Sequence, residues 1–456
     1  MAVHSQPVFS TVSPAKRKQI LRVIVISLLL DLISFTFILP LFPKLLEFYR
    51  NSEASWTKGL TTNSPTLLSQ VFSVLNSYKS SFSRPISSRY DIVLLGGAMG
   101  SLFSLCQAIA SPIIGKLSDK YGRRTALLWS MMGNIASVAL WLGAVDFRTF
   151  VASRIVGGLS EGNVQLATAM AADISTDEQR GSTMALVGAC FSIAFTFGPA
   201  LGAWLAGLAT VKQNPFAVAA GFSLFLIVTE TVYLYLYLPE TLPTARKEAT
   251  ANGHTKEKDS TPTSVSRTNS HFLLNMTHFV FILFFSGLEF SLPFMTYDLF
   301  SYTAAQSGRL LGFMGLIAAT LQGAVTRKAH PLVVVRMGIV ACVVAFFALS
   351  RLNSERALYA AASALAITTG TVVSGLGALS SFEAGVGERG GKLGNFRSWG
   401  QVGRATGPIL FCTLYWWAGR ETAYTVGGVG MMGVAALVFS LIKAPPQSLS
   451  KKTTRT

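Results

Sequence analysis

Residues 92–145 read IVLLGGAMGSLFSLCQAIASPIIGKLSDKYGRRTALLWSMMGNIASVALWLGAV. Two apolar runs, 92–111 and 125–145, flank a short polar segment that holds Asp119 with Lys116, Lys120, Arg123 and Arg124. A helix needs roughly 20 apolar residues to cross the hydrocarbon core of a bilayer, so each run is long enough to span. Together they predict a helical hairpin whose charged turn lies at one membrane face.

Outward from that hairpin the same reading predicts spans over 20–41, 148–172, 183–208, 216–238, 272–296, 308–326, 332–350, 357–382, 393–418 and 422–442, twelve in all. Twelve spans put both ends of the chain on one side. Lys and Arg concentrate in the segments on the side of the N-terminus, which predicts cytoplasmic N- and C-termini. The expected organisation is a cytoplasmic tail over 1–19, a six-helix half over 20–238 with an outer loop at 44–90, a cytoplasmic linker over 239–271, a second six-helix half over 272–442, and a tail over 443–456. The linker stretch KEKDSTPTSVSRTNS lacks the apolar residues a core would need, which predicts a mobile segment. The first span is too long for a cleavable signal peptide and is followed by no small-residue cleavage site. The one sequon, Asn275-Met276-Thr277, falls at the inner start of span seven and is expected to stay unmodified.

Composition agrees with a membrane class. The 456 residues are 50% hydrophobic and 13% charged, where soluble domains average about 25% charged residues. The mean hydropathy is +0.47. A net charge of +17 could suggest a nucleic-acid partner. The basic residues, however, lie between apolar spans and not on one soluble face, so topology accounts for them and nucleic acid does not. Cys106, Cys190, Cys342 and Cys412 all sit in apolar stretches with no paired spacing, which predicts neither disulfides nor a zinc site.

The chain also repeats itself. Gly115 after span two is matched by Gly323 after span eight, 208 residues on. Arg180-Gly181 before span five is matched by Arg389-Gly390 before span eleven, and Gly198-Pro199 by Gly407-Pro408, each 209 residues on. Three landmarks in order, each at the equivalent span, predict two pseudo-symmetric halves related by an axis along the membrane normal. The fold class expected is therefore an all-α membrane protein of twelve transmembrane helices. Such proteins hold substrate near the midplane between the halves and alternate access by rocking them.

The stretch Gly115-Lys116-Leu117-Ser118-Asp119-Lys120-Tyr121-Gly122-Arg123-Arg124 resembles the signature loop of the major facilitator superfamily, G-x-x-x-D-[RK]-x-G-[RK]-[RK], at every defining position. Arg154-Ile155-Val156-Gly157-Gly158 is similar to that family's R-x-x-x-G segment. Gly188 through Gly198-Pro199-Ala200-Leu201-Gly202 resembles the span-five motif of drug–proton antiporters, and Asp31 with Pro40 in span one resembles the opening of tetracycline-efflux proteins. Pro239-Glu240-Thr241-Leu242 is also common in the superfamily. Phe285-Ser286-Gly287-Leu288-Glu289 and Arg404-Ala405-Thr406-Gly407-Pro408 look like spans seven and eleven of a eukaryotic tetracycline transporter-like branch. The resemblance covers essentially the whole chain and implies the major facilitator fold, multidrug or organic-anion transport, and protons as a candidate coupling ion. The second half departs from the pattern: Gly323-Ala324-Val325-Thr326-Arg327-Lys328 keeps no acidic residue, so the two gates are expected to differ.

Ionisable groups inside spans are costly and default to functional candidates. Asp31 in span one is hard to ionise in an apolar surround unless paired, which suits proton coupling, or else it is a structural pair. Glu289 in span seven either binds protons or a cationic group, or neutralises Arg309 or Arg404. Arg154 and Glu161, seven residues apart on span four, share one helix face and either pair through a neighbour or face the cavity. In related antiporters the arginine of this segment is linked to proton transfer. Arg404 offers a planar fork for an anionic substrate, or else serves as partner to Glu289. Glu230 reads as structural. Gln165 and Gln322 are pathway candidates, like Gln107 and Gln401, with interhelical hydrogen bonding as the alternative.

In the signature loop Gly115, Asp119, Gly122, Arg123 and Arg124, with Asp173 at the inner end of span four, are expected to latch the halves on the cytoplasmic side. Asp119 would meet a helix N-terminus, Arg123 or Arg124 would pair with Asp173, and the outward-open state would be favoured. Gly198, Pro199, Gly202, Gly407 and Pro408 are expected to bend and pack their helices. No cofactor and no metal are expected. A membrane enzyme or an ATP-driven pump has no support, because the spans carry no His/Asp cluster, no Ser/His/Asp set and no P-loop. The remaining readings are a transporter of small organic solutes, a neutral-solute or sugar facilitator, and a receptor or scaffold on the same fold. A monomer in the bilayer of the plasma membrane or an organelle is expected.

Overall fold

The structure is a computed structural model that describes residues 13–38, 41–57, 66–82, 86, 90–208, 214–242, 268–385 and 387–445. The predicted mobile stretch up to residue 267, Pro40 and most of both predicted tails lie outside the described residues, while Thr268 and Asn269 at its end are held by hydrogen bonds to Glu383.

The first crossing is α1 (Pro14–Thr36), which Ser13 caps by accepting from the Lys16 amide, with Pro14 opening the first turn where no amide hydrogen is needed. The segment predicted as outer loop 44–90 contains two helices, α2 (Phe42–Thr57) and α3 (Leu67–Ser80). The second and third crossings are α4 (Asp91–Tyr121) and α5 (Arg123–Leu142). The signature segment is thus helical through Tyr121, and Gly122 alone makes the turn at φ 104°, a conformation open to glycine at little cost. The fourth crossing is broken into α6 (Phe147–Ser160) and α7 (Asn163–Asp173). Then come α8 (Asp177–Gly207) and α9 (Ala217–Tyr237).

The later crossings are α10 (His271–Phe300), then α11 (Ala304–Leu321) continued by a π-helical turn (Gln322–Thr326), then α12 (Pro331–Ser350). The tenth is again broken, into α13 (Glu355–Thr369) and α14 (Val372–Phe382), and α15 (Arg389–Ala418) and α16 (Arg420–Ser440) complete the set. The break at Glu161-Gly162 recurs at Gly370-Thr371, 209 residues on, the offset already visible in the sequence. No strand occurs among the described residues.

Ten of the crossings are long and apolar enough to span a membrane by themselves. The other two are the broken fourth and the polar α15. The physical reason for α15's composition is its place between two neighbours. A Cβ on Gly394 would strike the Ser111 carbonyl of α4, and one on Gly407 would strike the Leu283 carbonyl of α10. Between helices in lipid there is little hydrophobic driving force, so association relies on small residues that let backbones approach. Buried apolar side chains form two clusters, one running from Ile20 to Leu238 with Ala378 added, the other from Leu274 to Ile442. These clusters define a first and a second half of the molecule. α4 and α8 of the first half lie along α15 and α11 of the second.

Candidate latch and candidate translocation site

At the membrane face that carries Ser13 and Ile442, the signature segment bridges the halves. The Asp119 carboxylate accepts amide hydrogens from Gly390 at 3.0 Å and Gly391 at 2.6 Å, at the N-terminus of α15. A helix N-terminus has unsatisfied amides and a positive dipole end, so the carboxylate serves both. Arg123, with no exposed side-chain area, ion-pairs Asp119 at 2.7 Å and Asp173 at 2.9 Å. Asp173 also takes Arg389 of the second half at 3.0 Å. Arg124 does not share this carboxylate; its guanidinium donates to the Tyr235 carbonyl at 2.6 Å. Glu240, of the Pro239–Leu242 stretch, accepts from the backbone amides of Arg123 at 2.9 Å and Arg124 at 3.2 Å, and so caps α5.

The opposite face is closed by aromatic rings. Tyr78 of α3 shares a 2.7 Å hydrogen bond with Thr413 of α15, and its ring meets Trp416 edge-on. Tyr90 donates to Asp298, and its ring packs on Phe294 and Trp416. Sequence reasoning missed this contact, because nothing in the 44–90 composition says that α3 reaches the second half.

Between the faces, the first half encloses a cavity of about 40 Å³. That is room for a few waters and not for a drug-sized solute. Asp31, Asn134, Arg154 and Glu161 line it. Asp31 and Glu161 are 3% and 8% exposed. Asn134 donates to Glu161 at 3.3 Å while its own carbonyl oxygen has no partner. Arg154 lies over the Phe103 and Phe150 rings at 5.8 and 5.5 Å, a cation–π seat, and its Nε donates to Ser153. Arg154 and Glu161 therefore both face the cavity without pairing. The expectation of one continuous helix face is corrected: the helix ends at Ser160, and Glu161 caps it with ψ 86°. Glu230 is fully buried beside this cluster, with Ser27 donating to one oxygen at 2.6 Å and the other oxygen unpartnered.

The second half presents one cation to these acids. Arg397 of α15 has Glu161, Arg404 and Asp31 as its charged neighbours. Sequence reading passed over Arg397, since it sits among the flanking basic residues at the inner end of the predicted span. Arg404 follows seven residues later, on the same helix face two turns along. Exposed Val402, Ile409 and Leu410 mark other directions around that helix. Arg404 pairs with Glu289 of α10 at 3.3 Å, and the two side chains keep 43% and 46% of their area accessible. Arg309 is not needed for this pairing.

The remaining candidates form hydrogen bonds or close contacts between helices, with the Gln165 carboxamide oxygen left unpartnered. Gln165 donates to the Ser111 carbonyl at 3.0 Å, tying α7 to α4. Gln322 accepts from Ser192 at 2.6 Å, tying the π-helical turn to α8. Gly198 and Gly202 lie against Thr36 and the Phe37 backbone of the first crossing. Asn275 of the sequon is 4% exposed within α10. Among the described residues, no group of three His, Cys, Asp or Glu is placed to hold a metal ion.

Comparison with known proteins agrees with this architecture. The sequence profile of the Major Facilitator Superfamily matches residues 24–408. The chain is 33% identical to mouse major facilitator superfamily domain-containing protein 10, over 91% of each chain. It is 32% identical to the human protein of that name, over 98% of this chain and 96% of the other. A crystal structure of the human organic anion transporter MFSD10 (TETRAN) superposes with a TM-score of 0.80 at 30% identity, covering 92% of this chain and 99% of that one. A more distant likeness, 33% over 30% of this chain, is to the class C tetracycline resistance protein of Escherichia coli. These relatives are transporters and not enzymes. With twelve crossings, the intact signature segment and a profile match over most of its length, the chain belongs to the Major Facilitator Superfamily, as a multi-pass membrane transporter of small molecules.

Proposed function

We propose that this chain transports organic anions by alternating access between its two halves, and that the acids of the first half couple that transport to protons. The observation that carries the reading is the pair Arg397 and Arg404 on one face of α15, opposite the buried Asp31 and Glu161 of the first half. Arg404 is accessible and its one carboxylate partner, Glu289, stands at 3.3 Å. Exchanging that partner for a substrate carboxylate or sulfonate keeps the guanidinium paired, through charge-assisted bidentate contacts of the kind its planar fork favours.

Protonation of Asp31 or Glu161 removes negative charge from beside Arg397, which strengthens its attraction for an anion. Proton and anion binding are then linked through the charge of one shared site. The face bearing both described ends of the chain is cytoplasmic, in keeping with the distribution of Lys and Arg. The latch of Asp119, Arg123, Asp173 and Arg389 closes that side, and the aromatic contact of Tyr78, Tyr90 and Trp416 closes the other. The likeness to the human organic anion transporter favours this substrate class over sugars.

The test is transport by purified protein in liposomes that enclose a pH-sensitive dye. Organic anions should move, with substrate-dependent proton flux that Asp31→Asn abolishes. Proton movement against the anion would make the coupling antiport, and movement with it co-transport. Anion flux with no proton movement, unchanged by Asp31→Asn, would remove the coupling and leave the anion carrier. Flux of neutral solutes alone would overturn the anion reading.

A further inference from the structure

The latch has a pseudo-symmetric counterpart that differs by one charge. The 208-residue step from Gly115 to Gly323 carries Asp119 onto Arg327. The 209-residue step from Arg180-Gly181 to Arg389-Gly390 relates Ser182 to Gly391, whose amide Asp119 engages. In the counterpart, Arg327 Nε donates to Ser182 Oγ at 3.2 Å, in the first turns of α8. A cation therefore stands where the first latch places an anion against a helix N-terminus. The acidic residues of that first turn are Asp177 and Glu178, and Asp177 is held by Arg180 at 2.9 Å.

The counterpart is also open. A Cβ on Gly115 would strike the Gly390 carbonyl oxygen, whereas one on Gly323 would meet nothing within 4 Å. Beside Arg327 lies a cavity of about 340 Å³, within the size range of small-ligand pockets. Arg17 and Lys18 of α1 and Arg327 of the second half line it, and no carboxylate does. Arg17 donates to Thr183 Oγ1 at 3.0 Å, but its Nε is buried without a partner. Leu21 and Leu186 give the same cavity an apolar wall.

We propose that this cavity binds a phosphate-type anion, which supplies the negative charge that Asp119 supplies in the first latch. Three cations from two segments, the Ser182 hydroxyl and a nearby helix N-terminus are the donor set that phosphate oxygens need. The apolar wall suits the headgroup of an anionic phospholipid, whose acyl chains would continue along Leu21 and Leu186 into the bilayer. Basic pockets between membrane helices are known to take such headgroups. A free phosphate would satisfy the same donors. Because Arg17 and Ser182 belong to the first half and Arg327 to the second, the bound anion would tie the halves together on the latch face. The Arg327–Ser182 hydrogen bond already joins the halves at this point, and the bound anion would add Arg17 and Lys18 to that link.

The experiment uses the full chain in detergent. Its thermal unfolding is followed with added short-chain phosphatidylglycerol, short-chain phosphatidylcholine or inorganic phosphate, and lipid adducts are counted by native mass spectrometry. Saturable stabilisation by phosphatidylglycerol and not phosphatidylcholine is expected, with at least tenfold weaker binding in Arg17→Gln/Arg327→Gln. Arg327→Asp restores the carboxylate of the first latch and should lose the response to lipid while melting no lower than wild type. Stabilisation by inorganic phosphate as well would assign the site to phosphate in general, and stabilisation by the lipid alone to the headgroup. If the double variant unfolds too readily for melting curves, its adduct count decides. An equal response, or equal adducts, in wild type and the double variant would overturn the proposal, as would no response to any of the three.

Discussion

Arg389 of the eleventh crossing donates from its guanidinium to the Asp173 carboxylate of the fourth at 3.0 Å, an ion pair that joins the two halves. The Asp173 side chain has no exposed area and holds Arg123 at 2.9 Å through its other oxygen. Removing one partner of a buried pair costs about 3–5 kcal/mol, because the remaining charge is left uncompensated. Asp173→Asn leaves Arg389 without its carboxylate, while Arg123 keeps Asp119. It should shift the balance toward the latch-open state by at least about tenfold. Spin labels at Lys120 and Lys392 would report a longer distance population; an unchanged distribution would show that the pair does not govern closure.

Gly115 and Gly323 occupy equivalent places in the repeat but make a contrasting pair. Gly115→Val would push its side chain into the Gly390 carbonyl and prevent the latch from closing, so transport should fall by tenfold or more. Gly323→Val meets open space and should change the rate by less than about twofold, apart from a helix-propensity effect of under 1 kcal/mol. Parallel flux measurements on the two variants at matched expression settle the comparison.

Arg404 and Glu289 form an accessible pair, and exposed ion pairs contribute about 0–1 kcal/mol to stability. Arg404→Ala should therefore leave the melting temperature within a few degrees while raising the KM for an anionic substrate at least tenfold. Arg404→Lys keeps the charge but not the planar fork, and should fall between. Glu289→Gln frees the arginine and should lower KM. A large loss of stability in Arg404→Ala, with KM unchanged, would make the pair structural.

Asp31 and Glu161 set the charge beside Arg397. A carboxylate repels an anionic substrate and its protonated form does not. In the wild type, affinity for the anion should rise as the pH falls through the titration of these acids. Asp31→Asn and Glu161→Gln mimic the protonated forms, so affinity at neutral pH should increase in each and its pH dependence should flatten. Binding isotherms at several pH values would show this; a pH dependence identical to wild type in both variants would exclude these acids as the linked groups.

Much of this is legible in the amino-acid sequence alone. Apolar runs of bilayer length marked all twelve crossings, because a backbone in hydrocarbon must satisfy its own hydrogen bonds and a helix does so within one segment. The 209-residue repeat and the motif Gly115–Arg124 pointed to paired halves and to charges gathered at one face. Asp31, Glu161 and Arg404 stood out because a charge within a span is expensive. Length and charge are local properties, and the sequence states them directly.

What only the tertiary structure decided was which of those charges meet. That Asp119 caps α15 and not some other helix, that Asp173 is shared by Arg123 and Arg389, and that Arg124 turns away to Tyr235 all depend on contacts between residues up to 272 positions apart. The break at Glu161, the partnership of Tyr78 with Thr413 and the approach of Arg397 to the acids of the first half were hidden for the same reason. Periodicity and hydropathy report what a segment can bury. They do not report against which neighbour, because that choice is made by small residues such as Gly394 and Gly407 and by the fit of whole helices packed together.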